Sequence, residues 1–328
     1  METMITNISK AANPGAGDVY VAELLPNIAI SYFQTAGGLH DIFPSVPVEL
    51  QTGYFAAFSR ADTLRVQTVA RAPGAPTAQV GFNTDLTGTY SAKVYDAEYA
   101  PPAEVVANYR LPGTLDSFAT RLLARAAYLR RELNWTTSFF TTGVWGTDVT
   151  PSVLWDDPSS DPIGDIETGI ETVLLATGYK PNVMALGYQV WKALKQHPDI
   201  LARIGTGSAS NVDPRMVTER LVAALFGLDE IRVGSLVYNS AAAGASISTA
   251  FTAGKNALLC FRTPTPSILE PSAGYKFAWT GLVQSIDGIQ MRRGYEARQN
   301  QNWYQILHAE DFKKTAAELG YFFSGAVS

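Results

Sequence analysis

The chain has very few residues that bind metals or carry redox chemistry. Its 328 residues include one cysteine, Cys260, and three histidines, His40, His197 and His308, which lie far apart in the sequence. A single cysteine excludes a disulfide framework and a cysteine-based zinc site, and it fits synthesis in a reducing cytoplasm. The run His308-Ala309-Glu310-Asp311 is interpreted as surface at a strand end, because one histidine beside acids is a poor metal site. We expect no metal and no cofactor.

Positive charge and long apolar runs are also scarce. The formal net charge is -5 at pH 7, from 25 basic and 30 acidic residues, which argues against free-standing nucleic-acid binding. The N-terminal residues show no basic region followed by an apolar run, and no uncharged apolar run approaches the ~20 residues that cross a bilayer. We therefore predict a soluble protein without a membrane partner. With 46% hydrophobic residues it can build a core in one large domain or two smaller ones.

Catalytic and phosphate-binding motifs are missing as well. No Gly-x-Ser-x-Gly sequence and no complete phosphate-binding loop occurs. The best acidic cluster is Asp156, Asp157 and Asp161, of which Asp161 is explained as a helix cap and the others as loop solvation. We expect no catalytic residue and no enzyme. The enzymatic alternative is a hydrolase that uses Asp156, Asp157 and His197.

The most regular part of the chain runs from Trp155 to Gly205. Asp161-Pro162 is typical of a helix start, and Gly178 with Pro181 predicts its end. Between them the apolar residues recur at three- and four-residue intervals, which predicts one buried face comprising Ile163, Ile166, Ile170, Val173 and Leu174. Residues 182–187 then predict a short buried strand that runs into a helix with Val190, Trp191 and Leu194 facing inward. This is a compact α+β unit.

The longest predicted helix covers residues 115–139. Its apolar stripe is expected to comprise Leu115, Phe118, Ala119, Leu122, Ala126, Leu129 and Leu133, with Thr114 or Asp116 as the cap. Four arginines, Arg121, Arg125, Arg130 and Arg131, are expected to lie away from most of that stripe. Two interpretations remain open for them: a solvated face, or a weak contact with phosphate or with the carboxylates of a partner.

The N-terminal part indicates extended structure. Residues 1–50 hold two interrupted apolar stretches, 19–25 and 28–33, which fit either an ordered arm on another surface or a flexible terminus. Residues 54–100 predict strands at 63–69 and from 79 onward, joined by a turn at 72–76. A long hairpin is only marginally stable alone, so it packs either on its own domain or on a neighbouring molecule.

The remainder of the chain alternates short elements. A helix is predicted to start at Asp213-Pro214, with Met216, Val217, Leu221, Ala224 and Leu225 facing inward and Gly227 at its end. Strands are predicted at 231–237, 257–261, 276–284, 289–298 and 302–308, with a loop or hairpin tip at 241–252. Thr263-Pro264-Thr265-Pro266 marks a boundary, so residues 151–264 are interpreted as inserted into another domain.

The order of these elements resembles tailed-bacteriophage major capsid proteins of the Hong Kong 97 type. The most specific residues are Trp155 to Gly205, followed by Met291-Arg292-Arg293-Gly294-Tyr295 and Asn302-Trp303-Tyr304. The resemblance covers nearly the whole chain and implies an α+β capsid fold. It implies an N-terminal arm (1–53), an extended loop (54–100), a peripheral domain with the spine helix (101–150), an axial domain (151–264) and further peripheral strands (265–328).

The resemblance also implies a structural function. Copies of the chain would form pentamers and hexamers that close an icosahedral shell around double-stranded DNA, in a virion assembled in the cytoplasm of a bacterial host. The implied partners are the chain itself, a portal protein, a decoration protein, and packaged DNA held by weak, non-specific contact. The arm and the extended loop would lie across neighbouring subunits.

One departure from part of the family leads to a further expectation. Residues 1–114 are interpreted as arm plus hairpin and contain no coiled-coil heptads. We therefore expect a separate scaffolding protein and no large N-terminal processing. An encapsulin-type nanocompartment shell, which shares this fold but encloses cargo proteins, is the structural alternative.

Overall fold

The structure is a computed structural model that describes most of the chain. The described residues are 37–58, 84–108, 115–205, 217–242, 244–266, 270–283, 285 and 287–328, with scattered positions between 64 and 81. The predicted apolar stretches at 19–25 and 28–33, most of both strands predicted between 63 and 82, and the helix start at 213–214 lie outside them. Among the described residues, no helix combines the length and apolar character needed to span a membrane.

The elements mix helices and strands along the whole chain. The helices are α1 Ala103–Ala107, α2 Leu115–Phe139, α3 Pro162–Thr177, α4 Tyr188–Gln196, α5 Pro198–Ile204 and α6 Glu219–Phe226, with a 3₁₀ turn at Ala317–Leu319. The strands are β1 Ser45–Val48, β2 Thr52–Phe58, β3 Thr84–Ser91, β4 Lys93–Tyr99, β5 Thr147–Val149, β6 Val183–Gly187, β7 Glu230–Gly234, β8 Val237–Asn239, β9 Thr249–Phe251, β10 Ala257–Cys260, β11 Gly274–Trp279, β12 Ile289–Glu296, β13 Gln301–Lys314 and β14 Gly320–Phe323.

The first sheet is built around the long strand β13. It pairs antiparallel with β4, with β12 along its first half and with β11 along its second half, and β1 runs parallel to β11. Helix α2 packs along β13 and β4. The apolar contact between helix and sheet joins Ala119, Leu123 and Ala127 to Tyr304 and Ile306.

The second sheet has the strand order β5-β14-β10-β6-β7. Successive strand residues face opposite sides, so Met184, Leu186, Ala257 and Leu259 join a core with helices α3 to α6. The alternate residues face a second core with the end of α2, which includes Val183, Ala185, Leu258, Trp135 and Phe139. The two sheets therefore meet at the C-terminal end of α2.

Helix α3 forms as the sequence predicts. The Asp161 carboxylate accepts a hydrogen bond from the backbone N–H of Gly164 at 2.9 Å, and Gly178 ends the helix at φ 77°. The strand predicted at 182–187 forms as β6, Val183–Gly187, which is buried at every position and continues directly into α4. Of the predicted inward face of α3, however, Leu174 is 44% exposed.

The stripe predicted for helix α2 is displaced by one position. The apolar side chains that are buried recur every four residues, at Ala119, Leu123, Ala127, Trp135 and Phe139, and Phe140 follows them. Leu122, Leu129 and Leu133 are only partly buried, and Ala126 is exposed. Apolar residues occur around much of this helix, so periodicity alone chose the wrong row.

Other predicted elements differ in extent or orientation. Helix α6 buries Val222, Ala223 and Phe226, whereas Leu221 is 45% exposed and Ala224 is exposed, so the predicted inward face is wrong at two positions. Strand β13 continues to Lys314, six residues beyond its predicted end. Strand β14, which lies within the range expected for peripheral strands, pairs with β10 and β5 in the second sheet.

The hairpin of β2 and β3 leaves the first sheet from an aromatic base. The Phe277 ring stacks on Tyr90 with centroids 4.7 Å apart and on Phe55 at 5.6 Å. The Asp311 carboxylate accepts a hydrogen bond from the backbone N–H of Ser91 at 2.8 Å. These contacts fix the direction in which the hairpin starts.

Candidate assembly site

The acidic loop before α3 uses its carboxylates in local hydrogen bonds. Asp157 accepts from the backbone N–H and the hydroxyl of Ser159, both at 2.8 Å, and these bonds lower the pKa of Asp157. Asp156 accepts from the hydroxyl of Ser328 and from its backbone N–H at 3.2 Å, and the hydroxyl bond lowers the pKa of Asp156. A carboxylate stabilised in its ionised form is a poor general acid. These acids hold the loop together.

His197 is buried behind the same loop and caps helix α5. Its Nε2 lies 3.1 Å from Ser160 Oγ, and its Nδ1 accepts from the backbone N–H of Asp199 at 3.3 Å. Ser160 Oγ donates to the carbonyl of Asp157 at 2.7 Å, so these partners are satisfied together when Nε2 carries the proton. In that tautomer Nε2 donates to Ser160 Oγ, so His197 is not arranged as a base that would remove the hydroxyl proton of Ser160. His197 approaches only the backbone carbonyl of Asp157, at 3.4 Å, which does not support the hydrolase alternative.

His308 is buried in β13, so its predicted surface position is wrong. It is 3% exposed, and its ring stacks on Tyr95 with centroids 4.9 Å apart. Neither ring nitrogen has a hydrogen-bond partner in the described part of the chain. Burial, followed by repulsion from Arg131 and Arg130, lowers the pKa of His308 to about 4. Among the described residues, no group of three or more His, Cys, Asp and Glu side chains could hold a metal ion.

Arg131 is also buried, although its arginine neighbours suggested a solvated position. Its Nε donates to both carboxylate oxygens of Glu310, at 3.1 and 2.9 Å, and the Glu310 side chain is 0% exposed. Lys276 is 3% exposed and contacts Asp287, with Nζ 3.7 Å from Oδ1. Burial raises the pKa of Glu310, while the charges of Arg131 and Lys276 act against that shift. Burial, followed by repulsion from Arg131, lowers the pKa of Lys276. This charged cluster lies between α2 and the first sheet.

The next residue of α2, Glu132, binds residues 39 and 40, near the start of the first described range. One of its oxygens accepts hydrogen bonds from the backbone N–H of Leu39 at 2.8 Å, and from the backbone N–H and Nδ1 of His40, both at 3.0 Å. The Tyr128 hydroxyl accepts from the backbone N–H of Gly38 at 3.1 Å. Burial raises the pKa of Tyr128. Two side chains of one helix therefore fix residues 38–40.

Residues 37–48, which we call the junction segment, connect both sheets. The carbonyl of Gly37 accepts from the backbone N–H of Ser235, beside β7, at 2.9 Å. The carbonyl of Ile42 accepts from Arg262 at 2.6 Å, and Arg262 also pairs with Glu230 of β7. Phe43 packs on Phe139 with ring centroids 4.7 Å apart. The segment then becomes β1 of the first sheet, so it passes from one sheet to the other.

The remaining arginines of α2 differ in their surroundings. Arg121 and Arg130 are exposed, and the Arg130 guanidinium lies 4.9 Å from the centroid of the Tyr95 ring. Arg125 is half-buried and donates to the carbonyl of Val237 at 3.4 Å. Helix α2 therefore carries two exposed arginines, not the four that the solvated-face interpretation of the sequence implied.

Comparison with known proteins identifies relatives for nearly the whole chain. No family model matches the sequence. The chain is 26% identical over 320 residues to the major capsid protein of Pseudomonas phage JBD67, covering 93% of this chain and 96% of that one. It is 26% identical over 223 residues to the major capsid protein of Burkholderia phage BcepMu, covering 66% of this chain and 70% of the relative.

A solved capsid has the same arrangement of elements. The capsid structure of the cyanophage P-SCSP1u superposes with a TM-score of 0.61 at 8% identity, covering 97% of this chain and 96% of that chain. At that identity the structural likeness shows only a shared fold. The indication of a capsid role comes from the two sequence relatives, which are both major capsid proteins. The chain has the Hong Kong 97-like α+β fold. Its sequence is similar to those of two phage major capsid proteins over most of its length, and its role is a structural one in the virion capsid.

Proposed function

We propose that copies of this chain assemble into pentamers and hexamers that close an icosahedral shell around the double-stranded DNA of a tailed phage. The likeness to a major capsid protein over 93% of the chain carries this proposal. The fixed departure points of the hairpin and of the N-terminal residues support it, because segments that reach neighbours need a rigid base to define where they go.

We further propose a division into arm (1–53), extended loop (54–100), peripheral domain (101–150 and 265–328) and axial domain (151–264), with two boundaries moved as follows. Packing of α2, which lies in the first stretch, along β13, which lies in the second, supports joining the two peripheral stretches. The pairing of β14 with β10 supports assigning residues 320–328 to the axial domain. Strand β4, Lys93–Tyr99, pairs with β13 and is therefore part of the first sheet, which supports ending the extended loop near residue 92 instead of residue 100.

The first sheet has a charge difference between its two faces that supports weak DNA contact. On the α2 side, Arg121 and Arg130 are exposed; on the other side, Asp96 and Glu98 are exposed. A polyanion is attracted to the helix side and repelled from the other. Replacing Arg121 and Arg130 by Gln should increase DNA loss from heated particles, with Lys192 and Lys195 of α4 replaced by Gln as the matched control. Unchanged retention would leave the arginines as solvated residues.

The proposal includes no catalytic activity. The carboxylates of Asp156 and Asp157 and the ring of His197 are each engaged in loop or cap hydrogen bonds. A separate scaffolding protein, a portal protein and a decoration protein are proposed partners, and assembly is proposed to take place in the cytoplasm of the bacterial host. An encapsulin-like shell shares the fold, but both sequence relatives are capsid proteins.

The first experiment is negative-stain microscopy with light scattering on the purified chain, with and without the proposed scaffolding protein. Rings of five or six copies, or closed shells, are the expected result. Nuclease-protected DNA in particles from infected cells distinguishes a genome container from a protein-filled nanocompartment. A monomer under every condition, at high protein concentration, would contradict the proposal.

A further inference from the structure

The β12–β13 hairpin has two exposed faces of different chemistry. Residues directly opposite each other in paired strands share a face, and Gly294 lies opposite Trp303, Glu296 opposite Gln301, and Gln305 opposite Glu98 of β4. These residues therefore share the face turned away from α2. Arg293 lies opposite Tyr304, which packs on α2, so Arg293 belongs to the other face.

The face turned away from α2 forms a groove of about 560 Å³ around Trp303. The indole lies across Gly294, where a Cβ atom would come within 2.4 Å of it. Only glycine permits this flat position, in which the ring forms the floor of the groove. Glu98, Glu296, Gln301 and Gln305 contribute the surrounding polar groups, and Arg298 completes the lining.

The carboxylate of Glu98 is the available anion in this groove. Glu296 already accepts a hydrogen bond from the backbone N–H of Arg298 at 3.2 Å. Glu98 is exposed and makes no hydrogen bond or ion pair within the described part of the chain. An aromatic face beside an unpaired carboxylate is suited to a guanidinium group, which can stack on the ring and pair with the acid at the same time.

The opposite face of the hairpin presents such a guanidinium. Arg293 is exposed and has no hydrogen-bond or ion-pair partner among the described residues. Met291 and Tyr295, its neighbours on that face, are 39% and 59% exposed. The Tyr295 hydroxyl donates to Asn300 Oδ1 at 2.6 Å, which holds the end of the hairpin together. An arginine between an exposed methionine and an exposed tyrosine has the composition of an interface centre.

We propose that Arg293 of one copy occupies the groove of a neighbouring copy, stacking on its Trp303 and pairing with its Glu98. The proposal rests on the proposed function, because it concerns contacts between copies of a shell protein. Since the two surfaces lie on opposite faces of one hairpin, each copy can donate to one neighbour and accept from another. Such a heterologous contact continues from copy to copy around a ring or across a lattice.

Cysteine pairing tests the contact directly. Chains with Glu98→Cys are mixed with chains with Arg293→Cys, allowed to assemble and treated with a short bifunctional maleimide, because side chains that pair at their tips leave their Cβ atoms too far apart for a disulfide. The buried Cys260 serves as an internal background control, because burial raises the pKa of its thiol to about 12. A cross-linked dimer in the mixture, absent from either variant alone, is the expected result. Shells that form in the mixture without that dimer would overturn the proposal.

Charge exchange provides the second test and separates folding from contact. Glu98→Arg and Arg293→Glu should each raise the concentration needed for assembly about tenfold or more, since each brings like charges together. The double variant, which restores opposite charges in exchanged positions, should recover most of that loss. All three should keep the wild-type melting temperature, because both residues are exposed.

The possible outcomes separate failure of the Arg293–Glu98 contact from failure of the proposed capsid function. Single variants without effect, or a double variant without recovery, would overturn the Arg293–Glu98 contact while leaving the capsid function intact. Single variants that assemble normally but lose binding of a second virion protein would assign the groove to that protein instead. A wild-type chain that forms neither rings nor shells would remove the proposed function, and this contact with it.

Discussion

Glu132 and His40 are joined by two hydrogen bonds to the same carboxylate oxygen, one from the backbone and one from the ring, both 3.0 Å long. Glu132 is 0% exposed, so bulk water does not compete for these bonds. The pair fixes the junction segment to helix α2 just before that segment enters the first sheet.

Glu132→Ala is expected to lower the free energy of unfolding by about 3 kcal/mol, because it leaves buried N–H groups of Leu39 and His40 without an acceptor. Hydrogen exchange should accelerate at residues 38–40 more than in β13. Glu132→Gln keeps one acceptor oxygen and should recover part of the loss. Glu171→Ala, at an exposed position of α3, is the control and should change stability by less than about 0.5 kcal/mol. Equal effects of both alanine variants would contradict the role assigned to Glu132.

Arg131→Ala is expected to destabilise the fold by about 3–5 kcal/mol, because it leaves the Glu310 carboxylate buried without the guanidinium N–H that both of its oxygens accept from. Replacing both residues with apolar ones, as Arg131→Met with Glu310→Leu, should cost much less, since no unpaired charge remains. Chemical denaturation of the four proteins of this double-mutant cycle measures the difference. Arg121→Ala is the surface control, and an Arg131→Ala variant as stable as that control would refute the ion pair.

His308 gives the fold a defined sensitivity to acid. Its pKa in the folded protein is about 4, below the ordinary value of 6.5, so the unfolded chain binds the proton more readily. The neutral ring contributes its full stability above pH 6.5, and that contribution is lost as the pH falls from 6.5 toward 4. The stability difference between wild type and His308→Phe should therefore change across this window and be constant above it. A pH-independent difference would contradict this.

His308→Phe should also be at least as stable as wild type at pH 7.5. The phenyl ring keeps the stack on Tyr95 but removes two buried nitrogens that have no hydrogen-bond partner in the described chain. Thermal unfolding of wild type and His308→Phe, monitored by circular dichroism at pH 7.5 and within the window from pH 6.5 to 4, measures both effects.

Phe277→Ala is expected to loosen the base of the hairpin and to cost about 3 kcal/mol or more, because Phe277 is 5% exposed and stacks on both Tyr90 and Phe55. Hydrogen exchange should rise at residues 52–55 and 88–91. Tyr54→Ala is the matched control, since Tyr54 is on the same strand and 75% exposed. Unchanged exchange at the hairpin base would mean that the backbone pairing alone holds it.

The sequence predicts local structure well where the chain contains its own boundaries. Asp161, Pro162 and Gly178 define α3 because each acts within a few residues along the chain. The strand predicted at 182–187 forms at 183–187, where all residues are apolar or small. These elements depend little on the rest of the fold, and they also carried the family resemblance.

Burial of charge could not be predicted in the same way. Arg131 is buried because Glu310, 179 residues later, meets it across the helix–sheet interface. One indication was available: Ala119, Leu123, Ala127, Trp135 and Phe139 recur every four residues and position 131 falls in that row. Strand β13 was predicted too short for a related reason, since Glu310 and Asp311 after His308 were interpreted as surface at a strand end. Sequence periodicity does not show which charges have partners.

The path of the junction segment has a mechanical consequence. Force applied to the chain before Gly37 acts first on hydrogen bonds to Ser235 and Glu132, and then on the parallel pairing of β1 with β11. Because these attachments lie on different layers, tension is shared between both sheets instead of peeling one strand from an edge. A subunit pulled by its N-terminal residues is therefore expected to resist in shear and to move as one body.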